Sequence, residues 1–309
     1  MRDATIPLGL LDGDGPATPA ALPARRRASN RFGDYEVLAP LARGGMGGVY
    51  LAAHTETGER VALKVIEHKF ATHPEIVARL HAEHAFAAVA QHPGLIEIRE
   101  ARVAADQTPY LVMEYLDGET LGAIAERGPL DLALTLAIGT QITSALAALH
   151  AGGVMHCDVK HDNIFVLDAR RADGSPRVKV IDFGVSRRIG DPHDPDAAIA
   201  GTPWCMAPEQ WHGRPLAASD VYAVGCLLYD LTTGAPPFDG SLPELMLAHL
   251  EERPARPSWL ARMPLELERL ILRALAKAPE DRPSMAELAL ALAALADGCE
   301  QAPALRAAG

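Results

Sequence analysis

The sequence predicts an α+β chain in two lobes, a small sheet-rich lobe followed by a larger helical one, and three observations carry that expectation. Short runs of alternating apolar and polar residues occupy positions 35–113 around a single helical stretch. From about position 119 the apolar spacing changes to that of helices. The first 34 residues carry Pro7, Pro16, Pro19 and Pro23 with little periodicity, and are expected to form a flexible, disordered Pro/Ala-rich tail.

In chain order, the alternation predicts strands Tyr35 to Leu41, Val49 to His54 and Arg60 to Ile66, then a helix Pro74 to Gln91, then strands Leu95 to Val103 and Pro109 to Met113. The polar link Glu114 to Glu119 follows. Beyond it Leu134, Ile138, Ile142, Leu146 and Leu149 recur at helical spacing, with Gly152 and Gly153 as the stop. Further helices are expected at Ala217 to Thr233, Leu242 to Glu251, Leu265 to Lys277 and Ser284 to Ala296, with short strands at Ile164 to Leu167 and Val178 to Ile181. There is no internal repeat.

Composition narrows the function classes. The 309 residues are 49% hydrophobic, enough for one large core or two adjoining ones. The formal charge is −11 and no basic run exceeds Arg25-Arg26-Arg27, so a DNA or RNA partner is not expected. Cys157, Cys205, Cys226 and Cys299 lie far apart with no C-x-x-C pair, which suits a reducing compartment better than a zinc site or a disulfide framework. No stretch reaches the ~18 uninterrupted apolar residues of a membrane span, and the N-terminus lacks a basic region followed by an apolar core. A cytoplasmic location is therefore expected.

Four motifs carry chemistry. Arg43-Gly44-Gly45-Met46-Gly47-Gly48-Val49 lies between two strands, where glycines let a backbone approach phosphate oxygens; a tight hairpin explains them equally well. Val61-Ala62-Leu63-Lys64 then places a lysine on an alternating strand, within reach of phosphates. His156-Cys157-Asp158-Val159-Lys160-His161-Asp162-Asn163 sets an acid, a base and an amide close together. Asp182-Phe183-Gly184, an ordinary turn when read singly, follows 24 residues after Asp158 and a predicted strand, where a carboxylate can serve as a hard ligand for Mg²⁺.

In this order the motifs resemble those of the Hanks-type, eukaryotic-like bacterial serine/threonine protein kinases, from Tyr35 to about Ala296. The resemblance implies a two-lobed protein-kinase fold over residues 35–296: a small antiparallel-sheet lobe (35–114) with the helix that family calls αC, a larger helical lobe (119–296), and a short C-terminal tail, 297–309. It implies transfer of the γ-phosphoryl of ATP to protein serine and threonine hydroxyls, with Mg²⁺ as the metal and Mn²⁺ as an alternative. By the same resemblance Glu83 pairs with Lys64, Asp158 accepts the proton of the acceptor hydroxyl, Lys160 offsets γ-phosphate charge, and Asn163 and Asp182 bind metal. Leu41, Gly44, Gly45, Gly47 and Val49 would cover the nucleotide; Val49 and Ala62 would lie above adenine and Phe165 below it. Met113 would be gatekeeper, with the Glu114 carbonyl and Leu116 amide bonding the ring, although apolar residues at such places also serve as core. Many bacterial relatives continue into a membrane helix and an outer sensor; this chain stops at Gly309, so its signal is expected from inside the cell.

Gly201-Thr202-Pro203-Trp204-Cys205-Met206-Ala207-Pro208-Glu209 is similar to the end of that family's activation segment, which implies a protein acceptor. Thr202 would bond the catalytic aspartate and lysine, Glu209 would pair with Arg282, Asp220 and Gly225 would anchor the catalytic loop, and His156 would pack under Phe183. His81 and His84, three apart on a helix, read as surface residues rather than metal ligands.

Two positions depart from the family pattern. Cys157 stands where an arginine usually docks a phosphorylated activation loop, and Ser186 and Thr202 are the only hydroxyl side chains between Asp182 and Glu209. Activity is therefore expected not to depend on activation-loop phosphorylation. Cys157 itself is either an inert small residue or a redox-sensitive thiol. Ala42 occupies the first glycine position of the nucleotide loop, a change expected to alter affinity modestly. A kinase-fold ATP-binding scaffold with weak phosphotransfer is the alternative reading, and a metabolite phosphotransferase a third; oligomeric state is not readable.

Overall fold

The computed structural model describes residues 31–44, 47–71, 73–192 and 201–307. The expected tail over positions 1–30, and Gly45 of the nucleotide loop, lie outside the described residues. The chain divides into two compact units, the first comprising described residues up to 88 together with 96–116, the second 89–95 together with everything from 117 onward.

The first unit is built on a six-stranded antiparallel sheet: β1 (Arg31–Phe32), β2 (Tyr35–Gly44), β3 (Gly47–His54), β4 (Arg60–Ile66), β5 (Ile98–Val103) and β6 (Pro109–Glu114), in the order β1-β2-β3-β4-β6-β5. Helix α1 (Pro74–Val89) lies between β4 and β5 in sequence. Strand β1 corrects the tail boundary: it falls within the 34 residues assigned to a tail, because Phe32 is an apolar anchor packed edge-on to Tyr110 with ring centroids 5.3 Å apart. Period-2 alternation separates the two faces of the sheet. Tyr50, Ala52, Val61, Leu63, Val65, Tyr110 and Val112 turn to one face and form the core with Phe32, Tyr35, Val37 and Ala104. Cross-strand partners Val49–Lys64–Leu111 and Leu51–Ala62–Met113 share the other face. Burial of the aliphatic face thus fixes the register that sets Lys64 beside Val49.

The second unit is mainly helical. After β7 (Gly118–Thr120) and α2 (Leu121–Ala125) comes α3 (Leu132–Ala151), capped by the Asp131 carboxylate, which accepts from the Leu134 amide at 2.8 Å, and stopped where Gly153 turns to φ +79°. By length and composition alone α3 could cross a membrane, yet half of that window is buried inside the unit, where the helix packs against α5 (Ala217–Thr233), α8 (Met285–Ala307) and the strand Pro176–Val180. Strands β8 (Val154–Met155) and β11 (Arg187–Arg188) pair with each other, while β9 (Ile164–Arg170) and β10 (Pro176–Val180) form a three-stranded sheet with β7. Helices α4 (Pro208–Trp211), α6 (Leu242–Glu251) and α7 (Leu265–Ala274) complete the set. Helix α5 is the pillar: it is apolar on nearly every side from Val221 to Leu231, and Gly225 lets α7 approach so closely that a β-carbon there would sit 3.0 Å from Ala274 Cβ.

Several boundaries moved. The helix begun at Pro74 ends at Val89, strand β5 begins at Ile98 rather than Leu95, and α7 ends at Ala274. Leu95 instead makes an isolated parallel bridge to Val180, since residues 89–95 belong to the second unit. The assigned C-terminal tail is also corrected: α8 continues to Ala307, through Gly298 and Pro303, the residues that propensity reads as stop signals.

Candidate active site

In the first unit the expected ion pair is formed. Lys64 Nζ donates to both carboxylate oxygens of Glu83, at 2.8 and 3.0 Å. Glu83 lies on the sheet-facing side of α1 with Leu80 and Ala87 and is only 3% exposed, so a lone carboxylate there would be costly and the lysine is its compensation. Gly44 and Gly47 face each other across the hairpin, and Gly47 needs its hydrogen for space rather than for φ: a β-carbon would come within 2.0 Å of the Val65 carbonyl. Leu41 is exposed at the same end of β2, whereas Ala62 and Met113 are buried side by side. The Glu114 carboxylate caps the Glu97 amide at 2.7 Å, and Leu116 follows two residues beyond the strand.

The second unit assembles the rest. The Asp158 carboxylate accepts from Thr202 Oγ1 at 2.7 Å on one oxygen and from Asn163 Nδ2 at 3.0 Å on the other, and that second oxygen lies 3.2 Å from Lys160 Nζ. Thr202 therefore bonds the aspartate as expected, while the lysine meets the same carboxylate through its other oxygen. Burial by itself would lower the Lys160 ammonium, but Asp158 beside it outweighs that effect and the net shift is upward, so the lysine stays charged. Asn163 gives both amide hydrogens to Asp158, the second to its main-chain carbonyl at 2.9 Å, which leaves the amide oxygen as an acceptor only. Phe165 stands partly exposed on β9, opposite Lys179 and Thr120.

Two of the three described non-glycine residues with positive φ are in this site, Cys157 at +68° and Asp182 at +65°. Such backbone persists where neighbours over-determine it. The buried Asp220 carboxylate accepts the His156 and Cys157 amides at 2.8 Å each and His150 Nε2 at 2.7 Å. Burial alone would raise the Asp220 carboxyl, but the bond from His150 and the His156 amide more than reverse it and hold the carboxyl below its ordinary value. Gly225 does not share this anchoring role; its place is the α5–α7 contact. His156 packs on Phe183 with ring centroids 5.5 Å apart, and Ile181 N donates to the Asn163 carbonyl, tying the approach to Asp182 to the end of the catalytic loop.

Cys157 is 5% exposed and its thiol pKa is pushed far up by burial, with Asp220 adding to the shift, so the redox-sensitive reading loses to the inert one. Glu209 pairs with Arg282, at 2.7 Å to Nη1 and 2.9 Å to Nη2. His150 and His161 were not foreseen as site residues. His161 stacks on Trp204 with centroids 4.9 Å apart, and burial lowers its pKa to about 4; Asp230 Oδ2 is 3.2 Å away but poorly aligned for a hydrogen bond, so burial dominates and the ring is neutral. The sequence signal at that place was a histidine between Lys160 and Asp162.

A half-buried carboxylate restrained by a threonine, and a strand lysine paired with a helix carboxylate, are groups suited to phosphotransfer. Residues 35–291 match the family model described as the protein kinase domain, and the chain belongs to that family. It is 42% identical over 258 residues to the serine/threonine-protein kinase Pkn1 of Myxococcus xanthus, covering 82% of this chain and 36% of that protein. It is 37% identical over 278 residues to serine/threonine-protein kinase PkaA of Streptomyces coelicolor (84% of this chain, 49% of the relative) and 37% identical over 257 residues to PknB of Mycobacterium leprae (80% and 40%). The chain thus spans less than half the length of these curated relatives, all of them bacterial serine/threonine-protein kinases. Protein kinases use ATP and a divalent metal ion, and the donors here fit that metal: the Asp182 carboxylate and the acceptor-only amide oxygen of Asn163 are hard oxygens.

Proposed function

We propose that the protein is a serine/threonine kinase that transfers the γ-phosphoryl of ATP to hydroxyl groups of protein substrates. The observation that carries this reading is the Asp158 carboxylate held at once by Thr202, Asn163 and Lys160. In the proposed reaction the acceptor oxygen bonds to the γ-phosphorus, its proton passes to Asp158, and the bond from phosphorus to the β–γ bridging oxygen breaks, releasing ADP. Lys160 offsets charge on the transferring group, and Lys64, oriented by Glu83, neutralises the α and β phosphates. Asp182 and Asn163 would hold Mg²⁺, or Mn²⁺ in its place; the metal supplies charge neutralisation on the phosphates. Leu41, Gly44, Gly45, Gly47, Val49, Ala62, Met113, Glu114, Leu116 and Phe165 are proposed to receive the nucleotide.

Activity is proposed to need no activation-loop phosphate. Both hydroxyls of the segment already have structural partners, Ser186 on the His156 carbonyl and Thr202 on Asp158, and no arginine precedes Asp158 to receive a phosphate. The four free thiols support a reducing, cytosolic setting.

The test is transfer from labelled ATP with Mg²⁺ to a basic protein acceptor, alongside Asp158→Asn and Asp182→Asn. Wild-type transfer that both substitutions abolish supports the reading. Equal, negligible transfer by all three with ATP binding intact would establish the scaffold instead, and label on a small hydroxyl compound alone would establish a metabolite kinase. Phosphatase-treated protein is expected to keep its rate.

A further inference from the structure

Four consecutive main-chain carbonyls of the catalytic loop are each capped by a side chain. The His156 carbonyl accepts from Ser186 Oγ at 3.2 Å, Cys157 from Gln210 Nε2 at 2.9 Å, Asp158 from Asn163 Nδ2 at 2.9 Å and Val159 from Cys205 Sγ at 3.3 Å. Three of those donors, Ser186, Cys205 and Gln210, come from the segment that runs from Asp182 into α4. All of them are uncharged. In a segment with no phosphate and a loop with no arginine, these bonds join the Thr202–Asp158 contact in tying the two together.

Gln210 is the best placed of the three. It is 4% exposed, and its Oε1 accepts the Ala207 amide at 3.1 Å, which orients the amide group so that Nε2 faces the Cys157 carbonyl. Cys157 is the residue in left-handed backbone; Asp220 grips its N–H and Gln210 its C=O, so the peptide units on both sides are fixed. Gly201, at φ +132°, lies across this bond: a β-carbon there would be 3.2 Å from Gln210 Nε2 and 3.4 Å from the Cys157 carbonyl oxygen. The chain carries its smallest residue where a side chain would press on the contact.

We infer that Gln210 is a positioning residue, which sets the catalytic loop through the Cys157 carbonyl with a neutral amide. The inference rests on the kinase reading and deepens it. Asp158 follows Cys157 directly, so rotation of the Cys157–Asp158 peptide moves the base away from the acceptor hydroxyl. Nucleotide binding does not pass through this bond, so its loss acts on kcat and spares the KM for ATP.

Two substitutions of Gln210 test it in the full-length protein. Gln210→Met keeps the length and removes the donor, and should lower kcat by about ten-fold at every pH, with the KM for ATP within about two-fold of wild type. Gln210→Glu keeps an acceptor for Ala207 but cannot donate while ionised. At this buried position its carboxyl resists ionisation, and once protonated its O–H can donate to the Cys157 carbonyl. Its kcat, counted per nucleotide-binding molecule, should therefore fall at pH 8.5 and recover several-fold toward pH 6, relative to wild type at each pH.

A Gln210→Met enzyme with kcat within two-fold of wild type overturns the inference, as does a Gln210→Glu profile parallel to wild type. If Gln210→Met does not fold, the Cys205 pair decides: Cys205→Ser retains a donor to Val159 and should outperform Cys205→Ala by several-fold, and equal rates count against side-chain capping of the loop. Failure of wild type to transfer phosphate would instead remove the kinase reading.

Discussion

Arg282→Lys keeps the charge yet should unfold the protein well below its normal melting temperature. The Arg282 side chain is 0% exposed, and all five of its N–H donors are used. Nε donates to the Ala276 carbonyl at 2.7 Å; Nη1 to Glu209 Oε1 at 2.7 Å and the Ala218 carbonyl at 2.8 Å; Nη2 to Glu209 Oε2 at 2.9 Å and the Lys277 carbonyl at 3.0 Å. A lysine ammonium has three donors on one atom and cannot span this fork, so at least two buried acceptors lose their partner. At about 1–3 kcal/mol for each, the expected loss is about 4 kcal/mol. At this domain size that corresponds to a fall of about 10 °C in Tm. Thermal unfolding followed by circular dichroism, with urea titration to check that the m-value is unchanged, measures it. A Tm within about 2 °C of wild type would refute the reasoning, because it would mean that a point charge serves Glu209 as well as the planar fork does.

Glu83→Gln keeps the shape of the carboxylate but removes its charge from beside Lys64; phosphotransfer should fall by about ten-fold or more while the fold persists, and wild-type kinetics would contradict the proposed role of the pair. Burial, with the nearby Lys277 charge adding to it, lowers the pKa of His249 to about 4, against about 6.5 in the unfolded chain, so the neutral ring contributes stability above pH 6.5 that is lost as pH falls toward 4. The stability gap between wild type and His249→Gln should therefore narrow by about 1.5 kcal/mol between pH 6.5 and pH 5 in denaturant titrations; parallel curves would show that the histidine does not titrate this way.

Much of the site was legible because its chemistry is local in the chain. The loop from His156 to Asn163 and the Asp-Phe-Gly turn are short runs whose residue types announce their use, and the helices at Ala217–Thr233 and Leu242–Glu251 and the strand Arg60–Ile66 have the ends that periodicity predicted. Glu83 was reachable only through resemblance, since periodicity alone gives a helical glutamate to the solvent face; burial against the sheet makes it the partner of Lys64. Gly225 was also read through resemblance, as an anchor alongside Asp220, whereas one turn and a half of α5 separates an anchor for the catalytic loop from a contact with α7.

By itself the sequence determined which groups are present, the order in which they occur, and the secondary structure that carries each, because motif spacing and apolar period act over a few residues. Only the tertiary structure decided which of them restrain one another. The Gln210 amide reaches a carbonyl 53 residues away and the Asp220 carboxylate an amide 63 away. Contacts of that kind follow from the path of the chain around α5, where buried polar groups must find partners wherever packing brings them, and no local pattern encodes that path.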